Sequence, residues 1–307
     1  MRDALASDLA RVDSVAEIHL LHDVRLPPPQ LPSQVLHPVT NAGEELQSLA
    51  ATARQVEAVI VIAPEFGQLL WERSQLVESV NDQLLSPAAS FVRLCSDKQQ
   101  TCKHLAAQSV PAPRGIVFSE LPSALPSNDL FPAVLKPNDG AGSQFVQLLT
   151  TPAEIRNCDL SAAASWRLEQ FHPGTPVSVS LLAGPRGFIA LQPCTQNLSD
   201  DGRFAYRGCT TPLAPTLAAR AQRLAVAAAA TLPLTKGYLG IDMVLGSAEN
   251  GAQDVVIEIN PRLTTSYLVL RQACEQNLAA AMLKWAAGET IELSWRPETI
   301  EYSVPCQ

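Results

Sequence analysis

The segment VVIEINPR, Val255 to Arg262, constrains this chain more than any other. Its first half is a run of β-branched residues, the composition of a buried strand. Side chains alternate along a strand, so Glu258 and Asn260 leave the same face together. Pro261 has no amide donor and sets its own φ, so the strand ends there and Arg262 opens a loop. An acid and an amide at a strand end supply two hard oxygen ligands, the kind that hold a magnesium ion carrying phosphates. Upstream, YLGIDMVL (Tyr238 to Leu245) reads as a neighbouring strand whose only acid is Asp242. Two adjacent strands would then present Asp242, Glu258 and Asn260 to one place. Two amphipathic strands with ordinary polar faces explain the same residues, so the rest of the chain must decide.

A length of 307 residues suffices for two or three domains, and 47% hydrophobic residues belong to a soluble globular protein. The net charge of -8 argues against a nucleic-acid partner and against an anionic membrane surface. A site for an anionic nucleotide would therefore need local positive charge, which puts weight on the lysines beside loops. No apolar run reaches the roughly 18 residues of a membrane span. The N-terminal MRDALASDLARVD carries acids and no apolar signal core, so a cytoplasmic protein is expected. The seven cysteines show no CxxC pairing and read as reduced thiols.

Taken in order, AEIHLL (Ala16 to Leu21) and VEAVIVIAPE (Val56 to Glu65) read as strands of a small α/β unit, with a helix near Glu44 to Gln55 between them. Pro27 to Pro29 mark an extended loop. No Gly-rich turn follows the first strand, so a dinucleotide fingerprint is absent. The loop Ala63 to Gly67 would fall at the carboxyl edge of a parallel strand, where ligands bind in open sheets; a solvated turn is the plainer reading. Ser96 or Asp97 caps a helix from Lys98 to about Gln108. Strands follow at Gly115 to Phe118 and at PAVLKP (Pro132 to Pro137), then a small-residue loop over residues 138–143, then a strand over QFVQLL. A lysine at a strand end before such a loop can hold phosphate through its ammonium and the unobstructed backbone N–H groups. No GK[ST] opens a following helix, so it is not a Walker A loop, and a plain hairpin explains it as well.

WRLEQFHPG (Trp166 to Gly174) reads as a short strand and a connector, able to offer backbone groups to an adenine edge or simply to join two strands. A strand over VSVSLLAG follows. GRFAYRGCTTPL (Gly202 to Leu213) reads as a binding loop rather than a core strand. An alanine-rich helix spans about Thr216 to Ala230, and one helix runs from Thr264 to near Gly288. The residues after about Ser294 form a tail or a final strand.

The ordered set is a lysine after Asp97, Lys136-Pro137 with its small-residue loop, a connector with Glu169, then Asp242, then Glu258-Ile259-Asn260-Pro261-Arg262. It resembles the ATP-grasp superfamily of carboxylate–amine ligases over roughly residues 90–290. The resemblance implies an α/β fold: a pre-ATP-grasp domain over 1–95, a small lobe over 96–168, a large lobe with the metal site over 169–295, and a tail over 296–307. Two lobes would clasp ATP. By the same resemblance Lys98 and Lys136 would contact phosphates under a loop containing Gly140, Gly142 and Ser143. Glu169, Gln170, Phe171 and His172 would hold adenine. Asp242, Glu258 and Asn260 would bind one or two Mg2+ ions, with Mn2+ as an alternative, and Arg262 would meet the transferring phosphoryl group. The chain departs from the usual acidic ribose contact, reading Gly174-Thr-Pro-Val-Ser-Val179 there, which leaves the ribose unassigned.

IAPEFGQLLWER, SDKQQTCKHL, YRGCTTPL and EINPRLTTSYLVLR are similar to the tyramine–glutamate ligases of methanofuran biosynthesis. That likeness implies small-molecule partners, an amino acid and an amine, with a homodimer left open. On it, Thr264, Thr265 and Ser266 would hold an α-carboxylate, and Tyr206 and Arg207 would close the acceptor side from a loop. Glu65 would meet the incoming ammonium. Another acid–amine pair, or a nucleotide-binding regulator on a spent ligase fold, stands as the alternative.

Overall fold

The computed structural model describes residues 1–31 and 34–305. The first unit contains α1 (Arg2–Leu9), β1 (Ile18–Asp23), β2 (Gln34–Val39), α2 (Ala42–Ala53), α3 (Leu69–Glu78) and α4 (Ala89–Ser96). Strands β1 and β2 pair in parallel. Asn41 caps α2, its side chain accepting from the Glu44 amide at 3.0 Å. The strand expected at Val56 to Glu65 is a correction. That segment is extended, but only Val59 makes a bridge, to Leu84. Its apolar side chains are satisfied by packing instead: Val61 is buried with Leu70, Val77 and Val92. The second strand is β2, which its His37-Pro38 pair disguises.

Helix α5 (Lys98–Ala107) follows, with Asp97 as the capping side chain, accepting from the Gln100 amide at 2.9 Å. Then β3 (Gly115–Phe118), β4 (Ala133–Pro137), β5 (Gln147–Leu149) and β6 (Trp166–Gln170) form an antiparallel sheet ordered β3-β6-β4-β5. Leu135, Leu149, Trp166 and Leu168 close its apolar face with Leu130 and Ile155. The strand expected over QFVQLL shrinks to β5, because Ser143 and Phe145 adopt φ of 57° and 59° and prolong the loop.

The rest comprises β7 (Thr175–Gly184), β8 (Gly187–Ala190), β9 (Cys194–Leu198), β10 (Tyr206–Thr211), α6 (Pro215–Ala230), β11 (Gly237–Leu245), β12 (Val255–Asn260), α7 (Tyr267–Ala273), α8 (Leu278–Ala286) and β13 (Ile300–Ser303). The strands form one sheet ordered β12-β11-β7-β9-β10-β13, with β8 on β7. Ala221, Ala225 and Ala228 of α6 pack on Val177, Val179 and Ile241 from one face of this sheet. Small alanines let the helix lie close to the β-branched surface. On the other face, Leu182 and Tyr238 are buried in a cluster with Tyr267 of α7 and Met282 of α8. Ser178 and Asp242 leave that same face further along and line a cavity instead.

Two expectations for this half are corrected. Residues 206–211 are a strand, held by β9 on one edge and β13 on the other, with Cys209 and Thr211 fully buried. The single helix expected from Thr264 is two: the chain leaves helical geometry at Cys274, which bridges to Trp295, and Asn277 caps α8 through the amides of Ala279 and Ala280. The C-terminal segment carries β13, and residues 306 and 307 lie outside the described residues. Among the described residues no helix is long and apolar enough to cross a membrane, and six cysteines are free thiols.

Candidate active site

A cavity of about 510 Å³ opens between the four-stranded sheet and the larger one. The pairing of β11 with β12 sets Asp242 opposite Glu258, and Gly240 opposite Asn260. The Asn260 amide nitrogen donates to Asp242 Oδ2 at 3.0 Å, which leaves the amide oxygen as its ligand atom. Burial, and then the negative charge of Glu258, push the Asp242 carboxyl up to about 6, against hydrogen bonds from Ser178, Asn260 and Gln196. Burial also raises Glu258, but the ammonium groups of Lys98 and Lys136, with Arg262, outweigh it and hold that carboxyl below the usual range. Two half-buried carboxylates face one another here, and a divalent cation would relieve their repulsion. The donor set of two carboxylates and an amide oxygen suits a hard ion such as Mg2+.

Cationic side chains meet this pair from the smaller sheet. Lys98 Nζ lies 3.2 Å from Glu258 Oε2 and donates to the Gly140 carbonyl. Lys136, at the end of β4, lines the cavity with its Nζ 2.5 Å from Glu169 Oε1. Gly140, Gly142 and Ser143 form the adjoining wall. Gly142 has φ 69°, a conformation that L side chains rarely adopt, and no heavy atom lies within 4 Å of where its Cβ would be. Backbone there can approach a ligand.

Gln170, Phe171 and His172 line the cavity beyond β6. The amides of Gln170 and Phe171 are already used, donating at 2.9 Å to the Arg114 and Pro132 carbonyls. Glu169 lines the cavity too, with its carboxylate enclosed by Lys136 and by Arg167, whose Nε donates to it at 2.7 Å. Phe171 stacks on Phe204 with ring centroids 5.9 Å apart.

Arg262 lines the same cavity with Thr264, Thr265 and Ser266. Helix α7 starts only at Tyr267, so these three form a turn ahead of it rather than its first turn. Gly240 lets Thr264 sit over β11: a Cβ there would fall 2.5 Å from the Thr264 methyl. Glu65 is not on the wall. It lies against Arg262, with Arg262 Nε 2.9 Å from Glu65 Oε1 in an ion pair that lacks hydrogen-bond geometry. Tyr206 reaches the cavity from a strand, not a loop, and its hydroxyl is buried without a partner. Arg207, the next residue, is exposed and is not on the wall.

Ser178, Gln196, Arg167 and Val304 escaped the sequence reading. Ser178 was within reach of it, because β7 alternates and Ser178 pairs with Asp242. Gln196 and Val304 enter only through the pairing of β9, β10 and β13.

A model of the pre-ATP-grasp domain matches residues 16–92, and a model of the ATP-grasp domain matches residues 95–266. The chain is 22% identical over 250 residues to the tyramine–L-glutamate ligase of Methanocaldococcus fervens, covering 81% of this chain and 72% of that protein. An L-amino acid ligase from Bacillus licheniformis superposes with a TM-score of 0.73 at 16% identity, over 92% of this chain and 71% of that one. N5-carboxyaminoimidazole ribonucleotide synthetase from Thermotoga maritima gives 0.71 at 15% identity, over 95% and 74%.

Proposed function

Since this chain belongs to the ATP-grasp family of ligases, we propose that it joins a carboxylic acid to an amine through an acyl phosphate, with ATP as phosphoryl donor. The observation that carries this reading is the Asp242–Glu258 pair, set face to face across two strands and approached by Lys98. Asp242, Glu258 and the Asn260 oxygen would hold Mg2+, or Mn2+ in its place, which when bound neutralises charge on the phosphate oxygens.

The chain's own groups bind and orient. Lys98 and Lys136 attract the phosphates, and the backbone of residues 140–143 cradles them. Carbonyls of Gln170 and Phe171, with His172, face the adenine edge. A carboxylate is a poor electrophile. Its oxygen attacks the γ-phosphorus, the bond to ADP breaks, and an acyl phosphate results. The amine, after losing one proton, attacks the acyl carbon; the carbon–oxygen bond to phosphate breaks, and the departing phosphate takes a second proton. Both steps depend on positioning and charge, and neither needs a protein nucleophile. Arg262 would stabilise the acyl phosphate, and Thr264, Thr265 and Ser266 would hold a second anionic group of the acid.

We assign L-glutamate, through its γ-carboxyl, as the acid and tyramine as the amine. The support is the tyramine–L-glutamate ligases of two Methanocaldococcus species, each 22% identical. The test supplies ATP, Mg2+, glutamate and tyramine and looks for γ-glutamyltyramine by mass. ADP released only with another acid–amine pair would defeat this assignment and leave the ligase standing. No ADP with any pair would point to a nucleotide-binding regulator instead.

Lys136→Ala should weaken ATP binding about tenfold, the loss of one charge-assisted phosphate contact. Arg167 remains on Glu169, so that carboxylate keeps one cation, and circular dichroism on the same sample checks the fold. Titration calorimetry showing unchanged ATP affinity, together with a normal rate, would remove Lys136 from the phosphate site.

A further inference from the structure

Glu65 is 5% exposed, and Arg262 stands between it and the cavity. Among the described residues, Arg262 is the only cation within ion-pair distance of it, and neither Glu65 oxygen accepts a hydrogen bond. The backbone around Glu65 is held in place: the Leu70 amide donates to the Pro64 carbonyl at 3.1 Å, and the Gly67 amide to Asp139 Oδ2 at 3.2 Å. Arg262 makes a single side-chain hydrogen bond among the described residues, from one guanidinium N–H to its neighbour's carbonyl, that of Leu263, at 3.2 Å.

A carboxylate this buried that loses its only cation must gain another or take up a proton. Yet an acyl phosphate formed beside Arg262 is a stronger, doubly charged competitor for the same guanidinium. An arriving ammonium meets both demands, because it brings Glu65 a cation and a proton donor together.

We propose that Glu65 and Arg262 form an exchange pair: the acyl phosphate draws Arg262 away, and the uncovered Glu65 then receives the ammonium of the incoming amine. The inference rests on the ligase reading and adds an order to it. The amine site is occupied by the protein's own arginine until the acid has been activated. The device also favours a cationic amine, because its ammonium pairs with the uncovered Glu65 carboxylate.

The test compares two nucleophiles in the full chain with ATP, Mg2+ and glutamate: tyramine, which is cationic at neutral pH, and hydroxylamine, which is not. In Glu65→Gln the KM for tyramine should rise about tenfold or more, the loss of one buried charge-assisted contact. Hydroxamate formation should fall by less than about threefold. Glu65→Asp keeps the charge and should recover most of the tyramine affinity; it also serves if the glutamine variant does not fold. An equal fall with both nucleophiles would mean that Glu65 only holds Arg262 in place, and an unchanged tyramine KM would remove Glu65 from the amine site. Either overturns the exchange. Failure of the unmutated chain to form any hydroxamate from glutamate is a separate result: it defeats the glutamate assignment, and the comparison is then run with the acid that supports ADP release. No ADP with any acid removes the ligase reading and the exchange with it.

Discussion

Asp242→Asn and Glu258→Gln should each lower turnover by about a hundredfold or more, with the protein still folded. An amide keeps the shape of each carboxylate but carries no charge, so it cannot hold the cation that neutralises the phosphate oxygens. Loss of that stabilisation is expected to cost several kcal/mol, and each 1.4 kcal/mol is roughly a factor of ten in rate. The fold should tolerate Asp242→Asn because it removes one of two facing like charges, and Glu258→Gln because Lys98 keeps the Gly140 carbonyl as its acceptor. Asp242 already sits in surroundings that push its carboxyl up to about 6, so a neutral side chain suits that position. Steady-state ADP release, with circular dichroism on the same samples, checks both halves. A rate above about a tenth of the parent in either variant would mean that the cation is held elsewhere.

Arg167→Leu should be the most damaging single change away from those carboxylates, and its effect falls on stability. Arg167 is 1% exposed. Its Nε donates to Glu169 at 2.7 Å, one terminal nitrogen donates to the Pro113 carbonyl at 2.8 Å, and the other donates to the Gln99 side chain. Those bonds join β6 to α5 and to the segment leading into β3. A leucine fills part of the space but leaves Glu169 with Lys136 alone and the Pro113 carbonyl without a donor. Removing one member of a buried charge cluster costs about 3–5 kcal/mol. The denaturation midpoint should fall accordingly, and ATP affinity with it, because Lys136 must then serve Glu169 alone. A loss under about 1 kcal/mol would show that Lys136 by itself satisfies that carboxylate.

Residues that act through local periodicity were legible in the chain. Glu258 and Asn260 share a face because strand side chains alternate, and Asp97 caps α5 because a short acidic side chain before a helix reaches the third amide beyond it. The alanine stripe of α6 followed from the helical repeat in the same way. Mistakes came where short-range pattern and long-range pairing disagree. Residues 56–65 have a strand's composition but find no ladder, whereas residues 206–211 look like a loop and gain one from β9 and β13.

The sequence by itself determined that an acid and an amide would leave one strand end together, and that lysines beside small-residue loops would bear on them. Only the tertiary structure decided what each charge meets. Asp242 facing Glu258 depends on the register of two strands, Lys136 on Glu169 depends on two more, and the Glu65–Arg262 pair brings together residues from the first unit and the segment after β12. The reason is physical. Alternation and capping are properties of a few consecutive backbone units, while an ion pair between distant residues exists only once whole sheets have packed and excluded water from both partners.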